Sequence, residues 1–173
     1  MKLKLLLDRV SVTFGIEYYE SDNERKNVMM CKTPFSFVSN DGNWLNYNCP
    51  EAYTMANIEV KKLLESLKKL ILDEYASTEE VSFFNQTFRF ILHPKHHLED
   101  KELLPYYNDK VFPSYLEWRL YFLYDDFGEN FLTVRLNETE IGYLKNFLSY
   151  VTGEIDKSNI VIQNMISNNI LIE

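Results

Sequence analysis

Apolar and polar residues alternate along Val10 to Tyr18, with Val10, Val12, Phe14, Ile16 and Tyr18 in one register and Ser11, Thr13, Gly15 and Glu17 in the other. A period of two is the mark of a strand with one buried face. Met1 to Leu7 ends its apolar run at Asp8-Arg9 with no cleavage-site pattern, so it reads as the first strand rather than a secretory leader. Val28 to Phe37 is again strand-like, and Pro34, which has no N–H to give a ladder, predicts an edge or a bulge there. Asn40-Asp41-Gly42-Asn43 is a hairpin corner, and Trp44 to Tyr47 resumes as a third strand ending at Cys49-Pro50. In that register Trp44 is expected to be a buried anchor, as is Trp118.

The period then changes. From Asn57 to about Tyr75, Val60, Leu63, Leu64, Leu67, Leu70 and Ile71 recur at three- and four-residue spacing, with lysines and Glu65 on the other faces, which predicts an amphipathic helix covering a sheet. Val81 to Leu92 reads as a strand marked by Phe84, Phe88, Phe90 and Leu92. His93 to Pro113 is an unpatterned connection, long enough to suggest a functional or mobile loop. Leu116, Trp118, Leu120, Phe122 and Tyr124 share one strand register against Glu117 and Arg119. The turn Asp125-Asp126-Phe127-Gly128-Glu129-Asn130 then returns the chain through Phe131 to Leu136. Asn137 with Glu140 three residues on forms an Asn variant of the capping box, opening a helix through Ile141, Leu144, Leu148 and Val151 that Gly153 closes. The tail after Ile155 is too apolar to be a free end, so a short helix or an added strand should bury it.

These elements predict one α+β domain over 1–173, with a core at 8–151 and an apolar C-terminal extension at 154–173. The expected architecture is a largely antiparallel twisted sheet of about six or seven strands with the two main helices packed on one face. No internal repeat is visible. Aromatics make up 15% of the chain, with 12 Phe and 12 Tyr against 5 Gly and 5 Pro, a composition for a dense core rather than for disorder. No apolar run reaches the roughly 18–20 residues of a membrane span, so a cytoplasmic protein is expected.

Acidic residues number 26 against 18 Lys plus Arg, a formal charge of −8. Phosphate-binding grooves need a basic stripe, and the cations here are dispersed apart from Lys61-Lys62 and Lys68-Lys69, which argues against direct nucleic-acid binding. The expected partner is a protein with a basic surface. The glycines are too scattered to build a phosphate-cradling loop, and no cofactor is expected.

His93, His96 and His97 are all the histidines of the chain and adjoin Glu99 and Asp100. Imidazoles and carboxylates in such a cluster are zinc-ligand chemistry, although ligands on one loop are less rigid than ligands spread over several elements. A metal-dependent hydrolase is therefore one reading, set against a solvated loop. Cys31 and Cys49 flank the hairpin corner, and two thiols without a leader are expected reduced and buried. Cys31 sits within a strand, where a small core residue is favoured over a nucleophile. Asp125, Asp126 and Glu129 lack the alternating order of a calcium loop, and a turn accounts for them.

Tyrosines near turns and strand ends combine apolar area with a hydroxyl and suit recognition. The predicted partner-binding residues are Glu99, Asp100, Glu102, Tyr106 and Tyr107 in the long loop, with Tyr124, Asp125, Asp126 and Glu129 at the acidic turn.

Two segments resemble the WapI-like small immunity proteins of bacterial polymorphic-toxin systems. One is Asp41-Gly42-Asn43-Trp44-Leu45, following an opening pair of strands and preceding an amphipathic helix. The other is the aromatic strand Trp118 to Tyr124, followed by Phe131 to Leu136 and a helix opening Asn137-Glu138-Thr139-Glu140. The resemblance covers roughly residues 8–151, and the histidine segment and apolar tail depart from it. It implies non-enzymatic inhibition of a cognate toxin by tight binding. A phage-encoded inhibitor of a host defence protein would suit the same acidic, compact design.

Overall fold

The computed structural model describes residues 1–17, 19, 28–97, 111–121 and 130–173. In chain order the elements are β1 (Lys2–Leu6), β2 (Val10–Gly15), β3 (Met30–Cys31), β4 (Phe35–Ser39), β5 (Asn46–Cys49), β6 (Met55–Ala56), α1 (Asn57–Ile71), β7 (Glu79–Ser82), β8 (Phe88–His93), β9 (His96–His97), β10 (Val111–Phe112), β11 (Tyr115–Tyr121), β12 (Phe131–Leu136), α2 (Glu138–Val151), α3 (Ile160–Ser167) and β13 (Leu171–Ile172). The α+β class and the antiparallel pairing are as the periodicities predict.

The strands divide between two sheets rather than forming one. The first has the order β13-β1-β2-β4-β5 and the second β12-β11-β8-β7, while β3 with β6 and β9 with β10 form short ribbons. Aromatic side chains on the inner faces account for the division. Phe14 and Phe37 of the first sheet meet Trp118 of the second with ring centres 5.2 and 5.6 Å apart, and Phe35 meets Phe88 at 4.8 Å. Two inner faces this apolar bury more area facing each other than side by side. Helices α1 and α2 pack on each other, α2 reaching β1, β11 and β12, and α1 reaching β8.

The topology carries a duplication that the residues do not. A meander of four strands, β1-β2-β4-β5, leads into α1, and a second, β7-β8-β11-β12, leads into α2. The tail supplies both of its expected elements: α3 buries Ile162 and Met165, and β13 pairs antiparallel with β1.

Helix α1 buries Val60, Leu63, Leu64, Leu67 and Leu70, but Ile71 at its last turn is 44% exposed. The helix ends at Ile71 instead of near Tyr75, because Asp73 adopts a left-handed φ of 58°. The Asp73 N–H then donates to Leu70 O and the Glu74 N–H to Lys69 O, a Schellman closure. Gly153 ends α2 in the same way with φ 77°, and Asn169 ends α3 with φ 56°. Only the glycine announces itself in the sequence. The capping box is present as read: Asn137 Oδ1 accepts from the Thr139 and Glu140 amides, and the Asn137 amide donates to Glu140 Oε2 at 2.8 Å.

Two strand assignments change. The Val28 to Phe37 run breaks at Pro34, so Met30–Cys31 pairs with Met55–Ala56, while Phe35–Ser39 lies between β2 and β5 inside the first sheet. Pro34 sits outside the ladder, which spares it from leaving a donor missing. The Val81 to Leu92 run folds back as a hairpin, leaving Phe84 in the connection at 77% exposure.

Trp44 is the clearest correction. It precedes β5 in the connection that Gly42 turns with φ 70°, and it is 56% exposed. Its position in the loop removes it from any strand register. Trp44→Ala is therefore expected to change stability by no more than about 0.5 kcal/mol in a denaturant titration, as for exposed sites generally.

Candidate functional site: an arginine and aromatic sheet face

All nine predicted partner-binding residues, Glu99, Asp100, Glu102, Tyr106, Tyr107, Tyr124, Asp125, Asp126 and Glu129, lie outside the described residues. What the structure assembles is on the strands beside them.

Alternation on the second sheet sends Trp118, Phe88, Phe90, Val134 and Leu136 inward. The opposite register places Tyr115, Glu117, Arg119 and Tyr121 of β11 beside Arg89, Ile91 and His93 of β8 and beside Phe131, Thr133 and Arg135 of β12. Three of the chain's five arginines therefore share one face. Each lies over an aromatic ring: Arg89 over Tyr121 at 4.6 Å, Arg119 over Phe131 at 4.9 Å and Arg135 over Tyr115 at 4.6 Å. Flat guanidinium groups on π faces are held in place at little entropic cost.

Arg89 and Arg119 are directly paired across β8 and β11. Like charges in that position oppose sheet formation. The arrangement is compensated locally, since Arg89 Nε lies 3.8 Å from Glu80 and Arg119 donates to Glu117 Oε2 at 2.8 Å. Glu117 also faces Arg135 at 3.5 Å and His93 Nε2 at 3.8 Å. Burial alone would raise the Glu117 carboxyl, but the Arg119 hydrogen bond and the surrounding charges outweigh it and hold the group below its ordinary range. The Glu117 bond pushes Arg119 upward in turn.

His93 stacks on Tyr115, ring centres 4.2 Å apart and planes 10° from parallel, and its Nδ1 lies 3.3 Å from Thr78 Oγ1. Burial pushes its imidazole below the ordinary value; the Glu117 charge opposes this and the Arg135, Arg119 and His96 charges add to it. The neutral form of His93 is thereby favoured. His96 points elsewhere, stacked on Phe112 at 5.1 Å, and only the backbone of His97 is described, paired with Val111. The structure thus commits His93 and His96 to separate aromatic stacks. Among the described residues, no group of three or more His, Cys, Asp or Glu stands close enough to hold a metal ion.

A cleft of about 610 Å³ opens beside β12, between Leu7–Val10 and the N-terminus of α2. Asn137 and Glu140, which line it, already occupy the amides of that helix end, so the cleft is not a cradle for anions. Burial pushes the Glu140 carboxyl up, the Asn137 amide opposes this, and Asp8 adds to the rise.

The cysteines are free, Cys31 buried and Cys49 half-buried. Burial, with a further push from Glu59, raises the Cys31 thiol from 9.0 to about 11, which removes it as a nucleophile at neutral pH. The Tyr19 phenol is also pushed up by burial, then by Cys31 and Glu154. A group whose pKa is higher folded than unfolded contributes its stability in full below the unfolded value and loses it as pH rises through the folded one. Stability is therefore expected to decline between about pH 9 and 11, by an amount on the order of 2 kcal/mol from Cys31. Urea titrations across that range should show a shallower alkaline decline for Cys31→Ala.

In the sequence, Glu117 and Arg119 stand out only as the polar register of their strand. The available signal was the richness of that register in arginine, tyrosine and histidine on three neighbouring strands.

No protein-family model matches the chain, and no curated protein matches it. The structure is similar to one described as "Structure of the plant transcriptional regulator PBF-2", at 9% identity and a TM-score of 0.38, covering 99% of this chain and 87% of that one. A likeness at that level assigns neither fold nor role. No helix among the described residues is long and apolar enough to cross a membrane.

Proposed function

We propose that this chain is a non-enzymatic protein-binding inhibitor, an immunity protein that neutralises a cognate bacterial toxin in the cytoplasm, with the outer face of the second sheet as its recognition surface. The observation that carries the reading is the grouping of Arg89, Arg119 and Arg135 with Tyr115, Tyr121 and Phe131 on one sheet face, of which Phe131 and Arg135 are exposed, Arg89 and Arg119 partly covered and Tyr121 buried. Arginine and tyrosine dominate the energetics of protein interfaces, because each brings a large flat contact area and hydrogen-bonding capacity. The chain's net charge of −8 favours long-range encounter with a partner of basic surface, while the arginines of this face are offset locally by Glu80 and Glu117.

The test is co-expression with the product of the neighbouring gene, reading growth rescue and affinity together. Arg119→Lys keeps the charge and loses the planar fork, and Arg135→Ala removes an exposed anchor. Each is expected to weaken binding by about tenfold or more, or roughly 1.4 kcal/mol, and Arg135→Ala to do so with an unchanged melting temperature. Association should slow as salt rises, since exposed charges are screened over roughly 8 Å at physiological ionic strength. A neighbouring product that neither binds nor is neutralised, or a complex indifferent to both substitutions, removes this reading.

A further inference from the structure

A sheet edge is a row of backbone donors and acceptors ready to pair with another chain, and folded proteins blunt such edges with short strands, charge or proline. Among the described residues, three of the four edges of the two larger sheets are blunted. Edge β13 is two residues long, β5 is the polar stretch Asn46–Cys49 followed by Pro50, and β7 begins with Glu79 and Glu80. Edge β12 differs: it is six residues, Phe-Leu-Thr-Val-Arg-Leu, without proline and with one charge. Among the described residues β12 pairs only with β11, and the cleft of about 610 Å³ leaves space beside Thr133–Leu136.

We propose that β12 is a self-association edge, pairing antiparallel with β12 of a second copy about a two-fold axis at Thr133 to join two four-stranded sheets into one of eight. This proposal is independent of the toxin reading. Symmetry restricts the register, because a two-fold axis perpendicular to the sheet keeps each side chain on its own face. Only registers centred on a residue are then allowed. Centring on Thr133 sets Phe131 opposite Arg135 of the second copy, Thr133 opposite Thr133, and Leu132 opposite Val134. The outer-face pair repeats a contact already made within the chain, where Arg119 lies over Phe131 and Arg135 over Tyr115. Phe131 is still 40% exposed, and the Arg135 side chain 66%. Centring on Val134 instead brings the two Arg135 side chains into diagonal proximity, so like charge disfavours it. The joined sheet would double the arginine and aromatic face.

Sedimentation velocity over a concentration series tests the association, and cysteine cross-linking tests the register. On a Cys49→Ser background, Thr133→Cys is expected to give a disulfide-linked dimer under mild oxidation, since residues directly opposite across an antiparallel pair have Cα atoms about 4.5–5.5 Å apart. Phe131→Cys and Arg135→Cys, which in this register face a different residue, are expected to cross-link far less. Thr133→Lys should shift the wild-type sedimentation boundary from dimer to monomer without lowering the melting temperature. Because each copy carries −8, added salt should strengthen this dimer, opposite to its effect on encounter with a basic partner. A wild-type chain that stays monomeric at all concentrations overturns the proposal. So does cross-linking that is equally efficient at all three positions.

Discussion

Trp118→Ala is expected to cost about 3–5 kcal/mol in denaturant unfolding, one of the largest single losses available in this fold. The indole is fully buried and sits where the two sheets meet, with Phe90 at 5.0 Å, Phe14 at 5.2 Å, Phe88 at 5.4 Å and Phe37 at 5.6 Å. These neighbours come from β2, β4 and β8, so truncation opens a cavity that no one element can close by shifting. Three of the four contacts are edge-to-face, a geometry that adds about 0.5–1.5 kcal/mol per pair beyond area. Trp118→Phe should cost far less. The Trp118 Nε1 has no hydrogen-bond partner among the described residues, so phenylalanine gives up volume but no bond. Equal losses for the two variants would show that the indole nitrogen has a partner worth keeping.

Glu59→Ala is expected to cost about 1–3 kcal/mol for the buried Ala56 amide left without an acceptor, and less for the part-buried Phe84 amide. Glu59 is only 6% exposed, yet both oxygens are used: Oε2 accepts the Ala56 N–H and Oε1 accepts the Phe84 N–H, each at 2.7 Å. The first bond closes the start of α1. The second ties that helix to the β7–β8 connection, so one carboxylate links the two meander units. Glu59→Gln should stay well below wild type, because its amide nitrogen would face a backbone donor. The same removal of charge should let the Cys31 thiol fall from about 11, which thiol titration in the folded state would detect. A Glu59→Ala variant of normal stability would show that water replaces the carboxylate at these amides.

The elements legible in the sequence are those specified by neighbours along the chain. The stripe Val60, Leu63, Leu64, Leu67 and Leu70 lies on one face of any helix, and it is buried here. The Leu116, Trp118 and Leu120 register is likewise buried, and the Asn137 and Glu140 capping box needs only three residues of separation. The α+β class follows from such local patterns. The tail was legible in kind, since Ile162, Met165 and Leu171 are too apolar to be left in water.

Tertiary structure decided what local pattern leaves degenerate. Whether antiparallel strands extend one sheet or face each other as two depends on which inner faces match, and the contacts of Phe14 and Phe37 with Trp118 span residues far apart in sequence. Trp44 and Ile71 read as core because periodicity reports a face but not what covers it, and here each is largely uncovered. Asp73 and Asn169 end helices in a left-handed conformation that their side chains tolerate but do not announce. The candidate face is the extreme case. Arg89, Arg119 and Arg135 are dispersed cations along the chain, and only the registers of β8, β11 and β12 turn them into one surface.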